Sequence, residues 1–306
     1  MTATSTRSGR TAASSPRPSL RPAARRAGLD FVAVTEHNTA DTHAEWAALA
    51  GDDLLVILGP EATTTTGLWL ALGLPPGHVV DWRYGVRDDR IDEQVRAVHR
   101  AGGLCVVAHP HAPYPSGVFM FPFEGFDVIE VWNGLWASDL PWDADNEAAL
   151  AEWGRHLGAG VRTGDWRPAM GNSDTHLRDQ IAVPHTVVLA GERSADAILA
   201  AIRAGRSWIA GSPGIGLSFT VTAAGRTEDI GATVKTGGRG AVARFVVDGV
   251  PSGTVRFVTD RGRVREAELP GEARWETTAE EPAYVRVEVR HPDGRMAVLS
   301  NPIVLT

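Results

Sequence analysis

Four runs of the sequence end in side chains that a divalent cation would choose: "VAVTEH" in Glu36 and His37, "LGPE" in Glu61, "VVAHPH" in His109 and His111, and "GNSDTH" in Asp174 and His176. Imidazole nitrogen and carboxylate oxygen together suit zinc, manganese or iron. A set with one carboxylate able to bridge suits two ions sharing a hydroxide, a nucleophile near neutral pH. Each run alone has an ordinary structural use. A histidine before proline, as at His109, often just ends a strand, Asp174 in "NSDTH" can cap a turn or a helix, and Glu61 after Pro60 can face solvent. What the four share is position: each closes a short apolar run at its carboxyl end.

The elements that would carry these residues alternate from Asp30 to about Ala210. The apolar runs "FVAVTEH", "LLVILGPE", "LWLALGL", "LCVVAHP", "VIEVWNG", "PAMGNSD" and "TVVLA" read as buried, mostly parallel strands. Between them "DDRIDEQVRAVHRAGG", "NEAALAEWGRHLGAG" and "SADAILAAIRAGRS" have helical spacing of apolar residues and close on glycine. Barrels and open α/β sheets gather the carboxyl ends of their strands on one face, so residues remote in sequence would converge there. His43 and His99 fall on helical runs and are expected to face solvent. After "GSPGIG" come short alternating segments, "LSFTVTAA", "ARFVVDG", "TVRFVTDRG" and "AYVRVEVRHPDG", punctuated by Gly, Pro and Asp-Gly turns. The expected organisation is a tail over 1–22, an α/β barrel over 23–212 and a β-sandwich-like domain over 213–306.

With 306 residues, 43% of them apolar, the chain can bury a sizeable core. A net charge of -7 with scattered basic residues argues against a nucleic-acid groove and for a small-molecule partner. The single cysteine, Cys105, excludes a disulfide within the chain, and a reducing compartment follows as the default. No apolar run approaches the ~20 residues needed to cross a bilayer, and the start lacks the apolar core of a signal peptide, so no membrane partner and a cytoplasmic location are expected. The tail has few large apolar residues and several arginines and prolines, and is expected to be disordered.

In order and spacing, "LDFVAVTEHNT", "LGPEATTTTG", "VVAHP", "VIEVWNG" and "GNSDTH" resemble the PHP family, named for polymerase and histidinol phosphatase domains, and more closely its CehA/McbA-type metallohydrolase branch. The resemblance runs from about Ala24 to the C-terminus, where "RHPDGRMAVLSNPIVL" looks like the end of that branch's small β domain. It implies a distorted (β/α)7 TIM-like barrel holding two or three divalent ions (Zn, Mn or Fe). Its members mostly hydrolyse phosphate esters, and some an aryl carbamate, by way of a metal-bound hydroxide. By motif match it implies His37, Glu61, His109, Asp174 and His176 as metal ligands, with Glu61 the bridge. Asp174 and His176 would hold and orient the attacking water, and Arg178 or His111 would meet an anionic substrate.

The sequence departs from the family twice. Leu68 stands where the family usually has a histidine after glycine, and the opening Asp-x-His-x-His-Thr motif is missing. Back-translated with suitable third codon bases and read two nucleotides later, "MTATSTRSGRTA" can spell that motif followed by Ser-Asp-Gly, so the tail is open to two readings, a frameshift product that leaves the chain impaired or a genuine divergent N-terminus. Two alternatives stay open: a carbamate or ester hydrolase of the same fold, and a non-catalytic binding module with a degenerate metal site.

Overall fold

Largely apolar runs of four to ten residues form all but the two-residue first strand of the first half, in a computed structural model that describes residues 4–5, 20–114, 117–134, 145–176, 180–277 and 282–306. The strands are β1 (Thr4–Ser5), β2 (Phe31–His37), β3 (Leu55–Thr64), β4 (Gly67–Leu72), β5 (Leu104–Val107), β6 (Val128–Asn133) and β7 (Ala169–Asn172), paired in chain order in one seven-stranded sheet. Neighbours are parallel except at β4, which runs antiparallel to both β3 and β5. Only Thr65 and Thr66 separate β3 from β4, whereas a parallel return needs a crossover of about a dozen residues or more. A hairpin is therefore forced, and Gly67 begins the return strand at a φ of +136°, a value that disfavours other residues. This hairpin interrupts the expected βα repeat. Among the described strands β1 and β7 are the two ends of the sheet, which is a half-barrel in a mixed α/β fold.

The helices are few: α1 (Leu20–Arg26), α2 (His43–Ala47), α3 (Ile91–Arg100), α4 (Asn146–Gly160) and α5 (Ala195–Arg203). In α3 the buried residues Ile91, Val95 and Val98 recur at helical spacing, which lays one face on the sheet. The side chain of Asp145 accepts from the N–H of Ala148 to start α4, and Ser194 accepts from Ala197 to start α5. Ile198, Leu199 and Ile202 of α5 share a core with Phe31, Leu72 and Leu104, residues at one end of their strands. That apolar cluster packs α5 at the end of the half-barrel opposite the carboxyl ends of β2, β3 and β5. None of these helices among the described residues is long and apolar enough to cross a membrane.

The second half contributes β8 (His185–Val188), β9 (Ser207–Ala210), β10 (Gly216–Ala223), β11 (Arg226–Asp229), β12 (Thr233–Val234), β13 (Val242–Asp248), β14 (Gly253–Thr259), β15 (Gly262–Leu269), β16 (Ala273–Glu276), β17 (Tyr284–Arg290), β18 (Met296–Ser300) and β19 (Ile303–Leu305). They form a four-stranded and an eight-stranded sheet that share one core, in which Phe219 and Phe245 of the first meet Phe257 and Val287 of the second. Strand β9 pairs with β18 and β8 with β9, so hydrogen bonding runs across the stretch where the sequence suggests a boundary. The buried Asn301 ties β7 to this half by accepting from the N–H of Ala169 at 2.7 Å and donating to its carbonyl at 3.0 Å. Arg290 donates to both carboxylate oxygens of Glu147 on α4, at 2.6 and 3.2 Å.

Two expectations need correction. Within the stretch 1–22 expected to be without structure, Thr4–Ser5 pair alongside β2, and Leu20–Pro22 belong to α1, which Ala24 anchors in an apolar cluster with Leu29 and Trp46. The rest of that stretch lies outside the described residues. His43, expected to face solvent, is buried at the start of α2 and accepts the N–H of Gly77 at 3.3 Å. Burial holds its pKa below the ordinary imidazole value.

Candidate metal centre

Alternation along β2 sends Thr35 and His37 to one face of the sheet and Glu36 to the other. Glu36 is buried there and accepts the indole N–H of Trp46 at 2.9 Å, a packing role on the outer face. His37 is the register partner of Glu61 on the parallel β3, which puts the two side chains on the same face. Nδ1 of His37 lies 3.2 Å from Oε2 of Glu61 and 2.6 Å from Oγ1 of Thr63. On its other side Glu61 turns Oε1 to Nε2 of His109, at 3.3 Å. One buried carboxylate thus stands between two imidazoles with one oxygen toward each.

His109 leaves the end of β5 with φ at +24°, and Asp174 follows β7 with φ at +42°. Such left-handed backbone in residues other than glycine costs roughly 1–3 kcal/mol and persists where the surroundings enforce it. For His109 the enforcing group is Glu130, whose Oε2 accepts its N–H at 2.7 Å. Glu130 also accepts from Nδ2 of Asn172 at 2.6 Å and from Nδ2 of Asn133 at 3.3 Å. Burial pushes the Glu130 carboxyl up to about 7, against the lowering effect of His109. Burial alone would lower the pKa of His109. The hydrogen bond and charge of Glu61, with the charges of Glu130 and Asp174, outweigh it and push the imidazole up to about 9. His176 sits further out, with Nδ1 2.9 Å from the carbonyl oxygen of Asp174 and its ring centroid 6.4 Å from that of His37.

The donor set fits a divalent cation. Among the described residues neither Glu61 nor Glu130 meets a lysine or arginine, and Nδ1 of His109 is buried without a hydrogen-bond partner. A buried carboxylate without a counter-charge is costly, and a bound cation would offset that cost. A different trio, His99, Cys105 and Asp127, is the one whose three donor atoms lie within 4.8 Å of one another among the described residues. Its donors are engaged with one another and with Arg203: Asp127 accepts from Cys105 N and lies against His99 Nε2, both at 2.8 Å, and Arg203 Nε donates to it at 3.1 Å. Burial pushes the Cys105 thiol up, out of the range where it would give up its proton to a metal. This trio is a structural anchor. The centre at Glu61 is more open, with His37 and His109 on opposite oxygens of the carboxylate.

Of the residues singled out in the sequence, His37, Glu61, His109, Asp174 and His176 therefore lie along one rim. His111 points to α4, where its Nε2 is 2.6 Å from Oε2 of Glu152. Arg178 lies outside the described residues. Leu68 is the register partner of Thr63 and so shares the face of the site, 3% exposed among apolar neighbours. Sequence reasoning missed Glu130, Asn133, Asn172 and Thr63; the signal for Glu130 was a lone carboxylate inside the apolar run "VIEVWN".

The model of the PHP-associated family matches residues 167–207, the stretch from the start of β7 to the start of β9. No curated protein matches the chain. Among solved structures it is similar to a protein of Bifidobacterium adolescentis assigned as a metal-dependent phosphoesterase, at 18% identity and a TM-score of 0.36 over 53% of this chain and 82% of that one. It is also similar to an amidohydrolase of Chromobacterium violaceum with bound sulfate, at 15% identity and a TM-score of 0.38 over 57% of this chain and 87% of the other.

Proposed function

We propose that the chain is a metal-dependent hydrolase of the PHP type, a phosphoesterase acting on a small molecule, and that its half-barrel is the larger part of a distorted (β/α)7 barrel. The observation that carries this reading is the buried Glu61 carboxylate set between His37 and His109, with no lysine or arginine beside it among the described residues. His37, Glu61, His109, Asp174 and His176 would hold the cation or cations. Bound there, a divalent cation polarises the ester bond and acidifies water.

The chain's own residues set the geometry. Thr63 fixes the imidazole of His37 through Nδ1, and Glu61 holds His37 and His109 at a common spacing. Asp174 and His176, linked through the Asp174 carbonyl, stand at the outer edge, where they orient water toward the substrate.

The test is metal content after purification with manganese or zinc, beside turnover of p-nitrophenyl phosphate and of an aryl carbamate. Stoichiometric metal and chelator-sensitive phosphate-ester hydrolysis are expected. Carbamate turnover alone would move the chain to the ester and carbamate class. Neither metal nor turnover would leave a binding module.

A further inference from the structure

We infer that Glu130 is a positioning residue for the cation site: a buried counter-charge that acts through its hydrogen bonds to His109 and Asn172 and is not itself a ligand. The inference rests on the metal-site reading above. Its first support is geometric. Both oxygens of Glu130 are taken by N–H donors from the ends of β5, β6 and β7: His109 N and Asn133 Nδ2 on Oε2, and Asn172 Nδ2 on Oε1. The bond to His109 is made at the residue with φ at +24°, so it holds the backbone bend that presents this imidazole to Glu61.

The second support is what the site does not require. A neutral amide could keep two of the three donors, His109 N and Asn133 Nδ2, and remake the third bond in the reverse direction, because Oδ1 of Asn172 is buried without a partner. Turned over, the Asn172 amide would offer that oxygen to a glutamine N–H, while the glutamine oxygen kept the bonds of His109 and Asn133. An ionised carboxylate in the same place carries a burial penalty of several kcal/mol that an amide would not. A carboxylate standing where an amide suffices is accounted for by its charge, and the group that charge touches is His109, whose N–H it accepts at 2.7 Å and whose imidazole meets Glu61 at 3.3 Å.

The experiment is Glu130→Gln in the full chain, with manganese binding by titration calorimetry and thermal melting of the metal-free protein. The metal-free variant should melt at or above the parent's temperature. Its manganese affinity should fall by about 10–100-fold, the range seen when groups behind a metal ligand are lost. Adding Asn172→Asp, which returns a negative charge one hydrogen bond away, should restore much of the affinity. Unchanged affinity in Glu130→Gln would overturn the inference and leave the metal site standing. A variant that loses its fold would overturn it too, since the amide would then be no substitute. A parent protein that binds no manganese would overturn the metal-site reading, and this inference with it.

Discussion

Oε1 of Glu61 lies 3.3 Å from Nε2 of His109, although β3 and β5, which deliver them, are separated in the sheet by the antiparallel β4. The two meet because β4 opposes Glu61 with Leu70, a residue without polar atoms, and because the chain bends inward after β5 at His109. A carboxylate two strands from its partner is not a packing accident of neighbours, and its removal should be felt across the site.

Glu61 and Glu36 form a matched pair of buried carboxylates on adjacent strands with opposite outlooks. Glu61→Gln should lower bound metal by about an order of magnitude, because an amide is a poor ligand and cannot bridge. Glu36→Gln should leave metal unchanged and cost ~1–2 kcal/mol, since the indole of Trp46 would lose a charged acceptor. Elemental analysis and denaturant melts on the two variants decide the matter, and equal metal loss in both would contradict the site.

Leu68→His should raise metal occupancy, because Leu68 is directly opposite Thr63, the residue that holds Nδ1 of His37. In the absence of metal the added imidazole is buried unpaired and should destabilise the protein by ~1–3 kcal/mol. Melting curves with and without zinc read both effects. Destabilisation that zinc does not reverse would show that position 68 belongs to the apolar core alone.

Cys105 should resist thiol reagents in the folded protein and react once it is unfolded, because burial and the nearby Asp127 charge keep it protonated. Cys105→Ser should leave metal content unchanged. Metal lost with this substitution would transfer the site to the trio of His99, Cys105 and Asp127.

Much of this architecture was legible. The apolar runs and the spacing of Ile91, Val95 and Val98 gave strands and helices where they occur, because burial of a strand or of one helix face leaves a periodic trace. The hairpin at Thr65 and Thr66 was also written in the sequence, in a gap too short for a crossover, and was overlooked for a βα repeat that the described residues show only in part: no helix lies between β5 and β6, and β8 pairs antiparallel with β9 in the other sheet. Glu130 and Asn172 were harder to see. Glu130 showed only as a lone carboxylate in an apolar run, and its partners depend on the φ of His109 and on an inter-strand register, neither of which leaves a mark on residue type. His43 misled because a short helix beginning with a polar residue looks exposed until the Gly77 backbone is folded over it.

Stability toward acid should depend on the second half, through Glu288. Burial alone would raise its pKa, but the charge of Arg286 and its hydrogen bond at 2.7 Å, with Arg290 and Arg256 beyond, hold the carboxyl below its ordinary value of 4.5. A carboxylate with a depressed pKa contributes stability at pH values above that ordinary value, and the contribution is lost as pH falls through the folded-state value. Glu288→Gln should therefore flatten the acid limb of a melting-temperature profile taken downward from neutral pH. Arg286→Leu should act in the opposite sense: Glu288 would keep only its weaker partners, its pKa would rise, and the loss of stability would appear already at neutral pH, where the carboxylate is buried with too little opposing charge. Arg286 also lies over the ring of Trp153 in α4, at 5.0 Å, so the melting of this variant should carry α4 with it. Metal content should be unaltered in both variants, because Glu288 and Arg286 lie on β17, outside the rim formed by β2, β3, β5 and β7. An acid limb identical in Glu288→Gln and the parent would show that Arg286 and Glu288 contribute no pH-dependent stability.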